Sequence, residues 1–296
     1  MKRNYRLGIY EKALPADFSW KEKLEAAKAA GYDFLEISVD ETEKKLARLD
    51  WTGAERLELI RTMKEAGLPI RSMCLSGHRK YPLGSSDPRT AARGMQIMEK
   101  AIQLADDLGI RIIQLAGYDV YYEESTAGTQ RLFAENLELA VRMAAEAGVL
   151  LGFETMETEF MNTVEKAMRF VRRIDSPYLG VYPDMGNITN AADTYGTDVL
   201  ADIRSGRGHL MAGHLKEALP GKFREIPFGS GHVDFEAVIA ETWKLGVRRY
   251  VTEFWDRGNH TWKNDVDDAI TRMRAILDRQ PAAEEKRADA GQERDL

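Results

Sequence analysis

The sequence has one cysteine, five histidines and no long apolar run, and these shortages exclude several classes of protein. Cys74 has no second cysteine with which to form an intramolecular disulfide, and its apolar setting, IRSMCLS, favours a small core residue over a reactive thiol. A membrane-spanning helix would need about 18 consecutive apolar residues, and none are present. The start, MKRNYRLGIYEKAL, lacks the apolar segment of a signal peptide, so we expect a cytoplasmic protein.

Long basic segments are missing as well. The chain carries 42 Lys and Arg against 48 Asp and Glu, a net charge of -6, with no cationic stretch that would follow a phosphate backbone. We therefore expect neither a nucleic acid nor a membrane as partner, but a small molecule. The length of 296 residues and the hydrophobic content of 44% suffice for one large folded domain.

Strand and helix patterns alternate eight times along the chain. The predicted strands are short and largely apolar, as in a sheet that is buried on both faces; they are residues 6–10, 33–39, 70–75, 110–116, 149–154, 179–183, 209–215 and 248–254. Glycines typical of helix ends stand shortly before five of the strands, at Gly31, Gly67, Gly109, Gly148 and Gly246. This repeat predicts an α/β protein with a parallel (β/α)8 TIM barrel over residues 1–279.

An open doubly wound sheet is the main alternative fold. It would usually have a Gly-rich phosphate-binding turn after its first strand, whereas here that strand continues into IYEKALPADFSW. The barrel is therefore favoured. Beyond it, residues 280–296 are polar and lack a periodic apolar face, which predicts a disordered tail.

Four acids and bases lie at the ends of the last four predicted strands, namely Glu154, Asp184, His214 and Glu253, with gaps of 30, 30 and 39 residues. In a barrel, the carboxyl ends of the strands face one cavity, so we expect these side chains to converge there. Three carboxylates and one imidazole form an oxygen-rich donor set that suits Mn²⁺ or Mg²⁺ and can accept Zn²⁺ or Co²⁺. The sequence therefore predicts one divalent metal ion at this end.

The motifs GFETME, VYPDMGN, GHLKE, TEFW and, more specifically, CLSGHRKYPLGS resemble those of the L-ribulose-5-phosphate 3-epimerases, also called L-xylulose-5-phosphate 3-epimerases, of the xylose-isomerase-like barrels. The similarity extends to about residue 275. It implies that Glu154, Asp184, His214 and Glu253 are the metal ligands. Epimerases of free ketoses often have a histidine where this chain has Asn187, and this difference favours a phosphorylated substrate.

The resemblance implies inversion of C3 in a phosphorylated ketopentose, L-ribulose 5-phosphate to L-xylulose 5-phosphate. The weakly acidic C3 proton must leave one face of the sugar and return on the other, and a metal ion would stabilise the enediolate between the two steps. Glu154 and Glu253, on strands five and eight, are the expected acid and base. The implied setting is carbohydrate metabolism, including L-ascorbate degradation, and barrels of this superfamily are often homodimers.

Further residues are candidates for binding the substrate. Glu157 and Lys216 lie close to the predicted ligands, and Glu36 lies inside strand two, where a buried charge needs a polar partner. A loop after strand three offers hydroxyl, imidazole and cationic donors for the phosphate; its candidate residues are Ser76, His78, Arg79 and Lys80. Residues 229–231 offer backbone amides, although a tight turn explains them more simply. His209, His232 and His260 are expected to be structural or exposed.

Other functions remain open at this stage. An aldose-ketose isomerase of a sugar phosphate would use the same parts, and so would a metal-dependent sugar lyase on the same barrel. An endonuclease IV-like phosphodiesterase would need more histidines for a cluster of several metals than the five in this chain. A non-catalytic sugar-phosphate binder would not need all four ligands.

Overall fold

The computed structural model describes residues 3–258 and 261–281. Eight strands lie within these ranges: β1 Arg6–Tyr10, β2 Phe34–Val39, β3 Ile70–Leu75, β4 Ile112–Ala116, β5 Leu150–Glu154, β6 Leu179–Val181, β7 Gly213–Leu215 and β8 Arg249–Thr252. The α-helices are α1 Trp20–Ala30, α2 Glu43–Leu46, α3 Gly53–Ala66, α4 Pro88–Leu108, α5 Ala127–Glu146, α6 Val164–Ile174, α7 Met185–Tyr195, α8 Val199–Ser205, α9 Phe235–Lys244 and α10 Trp262–Leu277. Residues 282–296, most of the predicted tail, lie outside the described residues, as does His260.

All paired strands are parallel, in the order β6-β5-β4-β3-β2-β1-β8-β7. Two parallel bridges join the ends of this sheet, Val181 with Leu210 and Asp184 with His214, so that β6 and β7 adjoin. The predicted (β/α)8 barrel is confirmed. The last strands are shorter than predicted, because residues 209–212 contribute only an isolated bridge and Pro183 has no N–H to donate to a ladder.

Helix ends follow the sequence signals. Ser19 and Thr52 form capping boxes with Glu22 and Glu55 at the starts of α1 and α3. The five glycines predicted at helix ends all have positive φ values, which non-glycine residues seldom adopt: Gly31, Gly67, Gly109, Gly148 and Gly246. After each of these short connections, the next strand starts at the same end of the barrel as the strand before it. No helix among residues 3–258 and 261–281 is long and apolar enough to cross a membrane.

Successive side chains along the strands alternate between two apolar clusters, one outside the barrel and one inside it. Residues such as Leu7, Ile9 and Leu35 pack outward against the helices in one large apolar cluster. A smaller cluster contains Phe34 and Cys74 together with Tyr10, Ile112, Tyr182, Ala212 and Val251. Cys74 is thus a small core residue, as predicted, and burial raises the pKa of its thiol well above the ordinary value. At the carboxyl ends of the strands, the inward positions become polar, and the candidate site begins.

Candidate active site

Glu154, Asp184, His214 and Glu253 meet at the carboxyl end of the barrel. One potential ligand atom from each lies within 4.8 Å of the others, and all four residues are buried. Glu154 is the last residue of β5, His214 is in β7, and Glu253 follows β8. Asp184 precedes α7, where its Oδ1 accepts the backbone N–H of Asn187 at 2.7 Å. The structure therefore brings together the four residues predicted at the strand ends.

His214 is oriented by carboxylates on both sides of its ring. Its Nε2–H donates to Oε1 of Glu36 at 2.6 Å, and its Nδ1 lies 3.2 Å from Oε1 of Glu154 and 2.9 Å from Oε2 of Glu253. The hydroxyl of Tyr182 donates to the second oxygen of Glu36 at 3.0 Å. In the neutral ring, this arrangement leaves the Nδ1 lone pair directed toward the acids. Ligating histidines commonly have such a carboxylate behind them.

Burial and neighbouring charges shift the pKa values of the groups in this cluster. Burial, followed by the charge of Glu253, raises the pKa of Glu154, and burial raises the pKa of Asp184 well above its usual range. Burial would do the same to Glu253, but Lys216 and His214 hold its pKa below the ordinary value. Burial opposes the charge of His214, yet Glu36 and Glu253 raise its pKa well above 6.5. The carboxylates of Glu154, Asp184 and Glu253 therefore outnumber the cationic groups beside them, which are Lys216 and protonated His214.

This donor set fits a divalent cation. Oδ2 of Asp184 is buried without a hydrogen-bond partner, and the buried Oε2 of Glu253 lies beside Nδ1 of His214 at 2.9 Å. Unpaired buried carboxylate oxygens are costly, and a metal ion would satisfy them while relieving the repulsion between the acids. Oxygen donors with one imidazole match the predicted range of Mn²⁺, Mg²⁺, Zn²⁺ or Co²⁺.

Lys216 and Asn187 stand at the edge of the cluster. Lys216 Nζ lies 3.1 Å from Oδ1 of Asp184 and donates to Oδ1 of Asn187 at 2.9 Å. Burial opposes the ammonium charge, but Asp184 and Glu253 raise the pKa of Lys216, so it stays charged. Both residues line the same cavity as Glu154 and Glu253. Lys216 and His214 share a face of the chain, as their spacing predicted.

The cavity above the cluster has a cationic and aromatic wall. Besides the residues above, its lining includes Tyr10, Lys12, Cys74, Ser76, Arg79, Met156, Glu157, Phe223, Arg224 and Trp255. The hydroxyl of Tyr118 donates to Glu157 at 2.6 Å, and Arg224 lies 3.2 Å from the other Glu157 oxygen. Arg79 lies over the ring of Tyr121 at 4.9 Å. The mouth can therefore hold a polar, anionic molecule.

Several sequence candidates lie elsewhere. His78 is buried with Nε2 3.1 Å from the carbonyl oxygen of Gly94, and Lys80 is exposed beside Glu43; neither lines the cavity. Glu36 lies beneath His214 and is not part of the lining either. The helical turn Ser76–Arg79 explains the split, because it directs consecutive side chains to different sides.

The loop of residues 229–231 is packed against a carboxylate. Glu217 accepts the N–H of Gly229 at 3.0 Å, and a Cβ on Gly231 would lie 2.3 Å from the same carboxylate. This geometry is the tight turn that was the simpler explanation. Of the other histidines, His209 is exposed and His232 contacts Asn190 and Asp193.

The sequence did not single out Gln114, Lys12, Arg224 or Trp255. Gln114 donates its amide to Glu154, and as the one polar residue of the strand IIQLA it was a readable signal. Lys12 lies two residues beyond the end of β1, and Trp255 lies three residues beyond the end of β8. Arg224 lies in an irregular stretch between β7 and α9, where no periodicity identifies a functional side chain.

Comparison with known proteins agrees with this geometry. Residues 24–276 match the family model described as xylose isomerase-like TIM barrel. The L-ribulose-5-phosphate 3-epimerase UlaE of Escherichia coli O139:H28 is 45% identical over 256 residues, which cover 86% of this chain and 89% of UlaE. The chain belongs to the L-ribulose-5-phosphate 3-epimerase family. SgbU of Escherichia coli K12, to which the same activity is provisionally assigned, is 48% identical over 86% of this chain and 90% of its own length.

Solved structures of this superfamily share the fold. A D-psicose 3-epimerase from Clostridium cellulolyticum H10, determined with D-tagatose, superposes with a TM-score of 0.75 at 16% identity, covering 92% of this chain and 99% of its own. An L-ribulose 3-epimerase gives 0.71 at 21% identity over 93% of each chain. Together with the family membership, these relatives identify the protein as an epimerase of the isomerase class.

Proposed function

We propose that this enzyme inverts C3 of a phosphorylated ketopentose, interconverting L-ribulose 5-phosphate and L-xylulose 5-phosphate in a metal-dependent reaction. The observation that carries the proposal is that Glu154 and Glu253 reach one cavity from β5 and β8, which are not neighbours in the barrel. Inversion at a carbon requires proton transfer on both of its faces, and two carboxylates on different strands supply this. The UlaE name supports the choice of substrate.

Glu154, Asp184, His214 and Glu253 would hold the metal. When bound, a divalent cation supplies Lewis-acid stabilisation of the negative charge that develops on the sugar oxygens. Glu253 or Glu154 removes the C3 proton, depending on the direction of reaction, and the other carboxylate delivers a proton to the opposite face. Lys216, held by Asp184 and Asn187, donates to a substrate oxygen beside the acids.

Glu157 and the cations of the mouth would position the rest of the sugar. Glu157, held by Tyr118, accepts from a substrate hydroxyl. Within the described part of the chain, Nε of Arg79 is buried without a hydrogen-bond partner, and its Nη2 donates to the hydroxyl of Tyr118 at 3.5 Å. We assign the phosphate to Arg79, Ser76 and Arg224, because guanidinium groups bind phosphate oxygens in a fixed fork. The homodimer, the cytoplasmic location and a role in L-ascorbate degradation stay predictions.

Proton exchange tests the proposal directly. Metal-stripped protein in D₂O is given L-xylulose 5-phosphate, with and without Mn²⁺ or Zn²⁺, and deuterium at C3 is followed by NMR together with the appearance of L-ribulose 5-phosphate. We expect metal-dependent exchange at C3 with inversion. Exchange at C1 would instead identify an aldose-ketose isomerase, and cleavage products would identify a lyase. No exchange by metal-loaded protein would contradict the proposed substrate.

A further inference from the structure

A second cavity opens at the amino-terminal end of the barrel, opposite the proposed active site. Five arginines line it, namely Arg3, Arg6, Arg111, Arg248 and Arg249, and none of the described residues in its wall is acidic. Arg6 and Arg249 are the first residues of β1 and β8 and are paired in register, and Arg111 immediately precedes β4. Because parallel strands begin at the same end, these side chains converge. We call this the basal cavity.

The inner two arginines have no carboxylate partner among the described residues. The guanidinium of Arg248 stacks on Trp243 at 3.8 Å and donates to the carbonyl oxygens of Trp243 and Val247. Arg249 lies 5.9 Å from the ring of Phe34. Burial lowers the pKa of Arg249; Tyr182 partly opposes this effect, and the nearby charge of Arg71 adds to it. The field at this position is therefore that of uncompensated positive charge.

Of the outer arginines, Arg3 is paired with Asp278 at 2.9 Å, but acids outside the cavity neutralise Arg6 and Arg111 only weakly. Arg6 and Arg111 approach Asp33 and Asp106 at 3.5 Å, longer than the 2.7–2.9 Å typical of a charge-assisted hydrogen bond. Asp33 is also committed elsewhere, since its Oδ2 accepts from the backbone N–H of Leu7 and from Arg274, each at 2.8 Å. Positive charge in the basal cavity thus remains available to a ligand.

We propose that the basal cavity binds a phosphoryl group of a small molecule. A phosphoryl group has three strong acceptor oxygens and about -1.5 to -2 charges, so that it engages several guanidinium groups at once, which one carboxylate does not. The arginines form a concave wall and not a stripe, and the chain has a net charge of -6, which argues against nucleic acid as ligand. This site is separate from the proposed catalytic function and does not depend on it.

Calorimetry with inorganic phosphate tests the site in the manganese-loaded, full-length enzyme. The phosphate contacts proposed at the catalytic mouth are first removed by Arg79→Gln with Arg224→Gln, and chloride keeps the ionic strength constant. Saturable binding is expected to persist in this double variant. Adding Arg249→Gln should weaken it at least tenfold, whereas Arg142→Gln, an exposed arginine paired with Glu138 on α5, should leave it unchanged.

Arg111→Gln provides a second basal variant in case Arg249→Gln impairs folding, which circular dichroism would reveal. Arg111 is exposed at the rim, so its loss should weaken phosphate binding without affecting the fold. Ribose 5-phosphate then distinguishes the source of the phosphoryl group: tighter binding than inorganic phosphate identifies a phosphorylated metabolite, and equal binding identifies the free ion. Absence of saturable binding in the mouth variant, or binding unchanged by both basal substitutions, would overturn the proposal.

Discussion

The Nε2 atom of His214 lies 2.6 Å from Oε1 of Glu36, although 178 residues separate the two in the chain. Glu36 is buried inside β2, and Tyr182 holds its second oxygen. The carboxylate therefore fixes the ring of His214 and directs Nδ1 toward Glu154 and Glu253. Glu36 would act as a support behind the proposed metal ligand His214, which would explain why a charge is kept inside a strand whose other residues, apart from Ser38, are apolar.

Glu36→Gln should weaken metal binding by about 10- to 100-fold, as removal of a carboxylate behind a ligating histidine commonly does. The amide keeps the size of the side chain but removes the charge that increases the basicity of His214. Titration of Mn²⁺ into the apo-protein against a fluorescent chelator measures the change. Glu58→Gln, on the exposed face of α3, is the matched control. Equal affinity in both variants would rule out the supporting role.

Metal removal should lower the stability of the fold. Oδ2 of Asp184 has no hydrogen-bond partner and Oε2 of Glu253 faces the ring of His214, so a bound cation would satisfy carboxylate oxygens that are otherwise buried at a cost. With free metal at 100 times its dissociation constant, the free energy of unfolding should increase by about 2.7 kcal/mol. Denaturant unfolding with and without Mn²⁺ measures this difference. Asp184→Asn should lose most of this metal-dependent increase in the free energy of unfolding, and the control Glu58→Gln should keep all of it. A full increase in Asp184→Asn would exclude Asp184 as a ligand.

Arg79→Gln should increase KM for the phosphorylated ketopentose while changing kcat little. Loss of a hydrogen bond to a charged group costs about 1.5–3 kcal/mol, which corresponds to roughly 10- to 150-fold. Steady-state kinetics should show a much smaller change with unphosphorylated L-ribulose, because the missing contact is to the phosphate. Lys80→Gln is the control, since Lys80 is the next residue but points to solvent beside Glu43. Equal losses with both substrates would refute the phosphate assignment.

Much of the fold was readable because burial and spacing determine it. Short apolar strands, glycines at helix ends and acids at strand ends all follow from the geometry of a parallel barrel. The residues that line the cavity at the carboxyl end of the barrel were less predictable. His78 and Arg79 are neighbours, yet one is directed into the protein and the other lines the cavity. Arg224 reaches the site from an irregular loop, and only the assembled structure reveals such a contact.

Glu154→Gln and Glu253→Gln should each remove proton transfer on one face of the sugar. Epimerisation is expected to fall by about 10²- to 10⁴-fold in both variants. Each should still exchange the C3 proton of one epimer with D₂O, and the two variants should differ in which epimer exchanges. NMR of L-xylulose 5-phosphate and L-ribulose 5-phosphate, with metal content checked for each variant, gives the answer. If both variants exchange the same epimer, the two glutamates do not divide the faces between them.

His78→Gln should make stability less dependent on pH between about 6.5 and 4. Burial lowers the pKa of His78 to about 4 from an ordinary value of 6.5, while its ring contacts the carbonyl of Gly94. The unfolded chain therefore binds a proton in this window that the folded chain refuses, and wild-type stability falls as the pH falls. The full effect is about 3 kcal/mol, at 1.36 kcal/mol per pKa unit. Glutamine can still donate to the carbonyl oxygen of Gly94 but does not titrate. The free energy of unfolding should therefore fall less in the variant than in the wild type as the pH falls. Urea unfolding at pH 6.5, 5.5 and 4.5 measures this, and a difference that stays constant would show that His78 titrates normally in the folded protein.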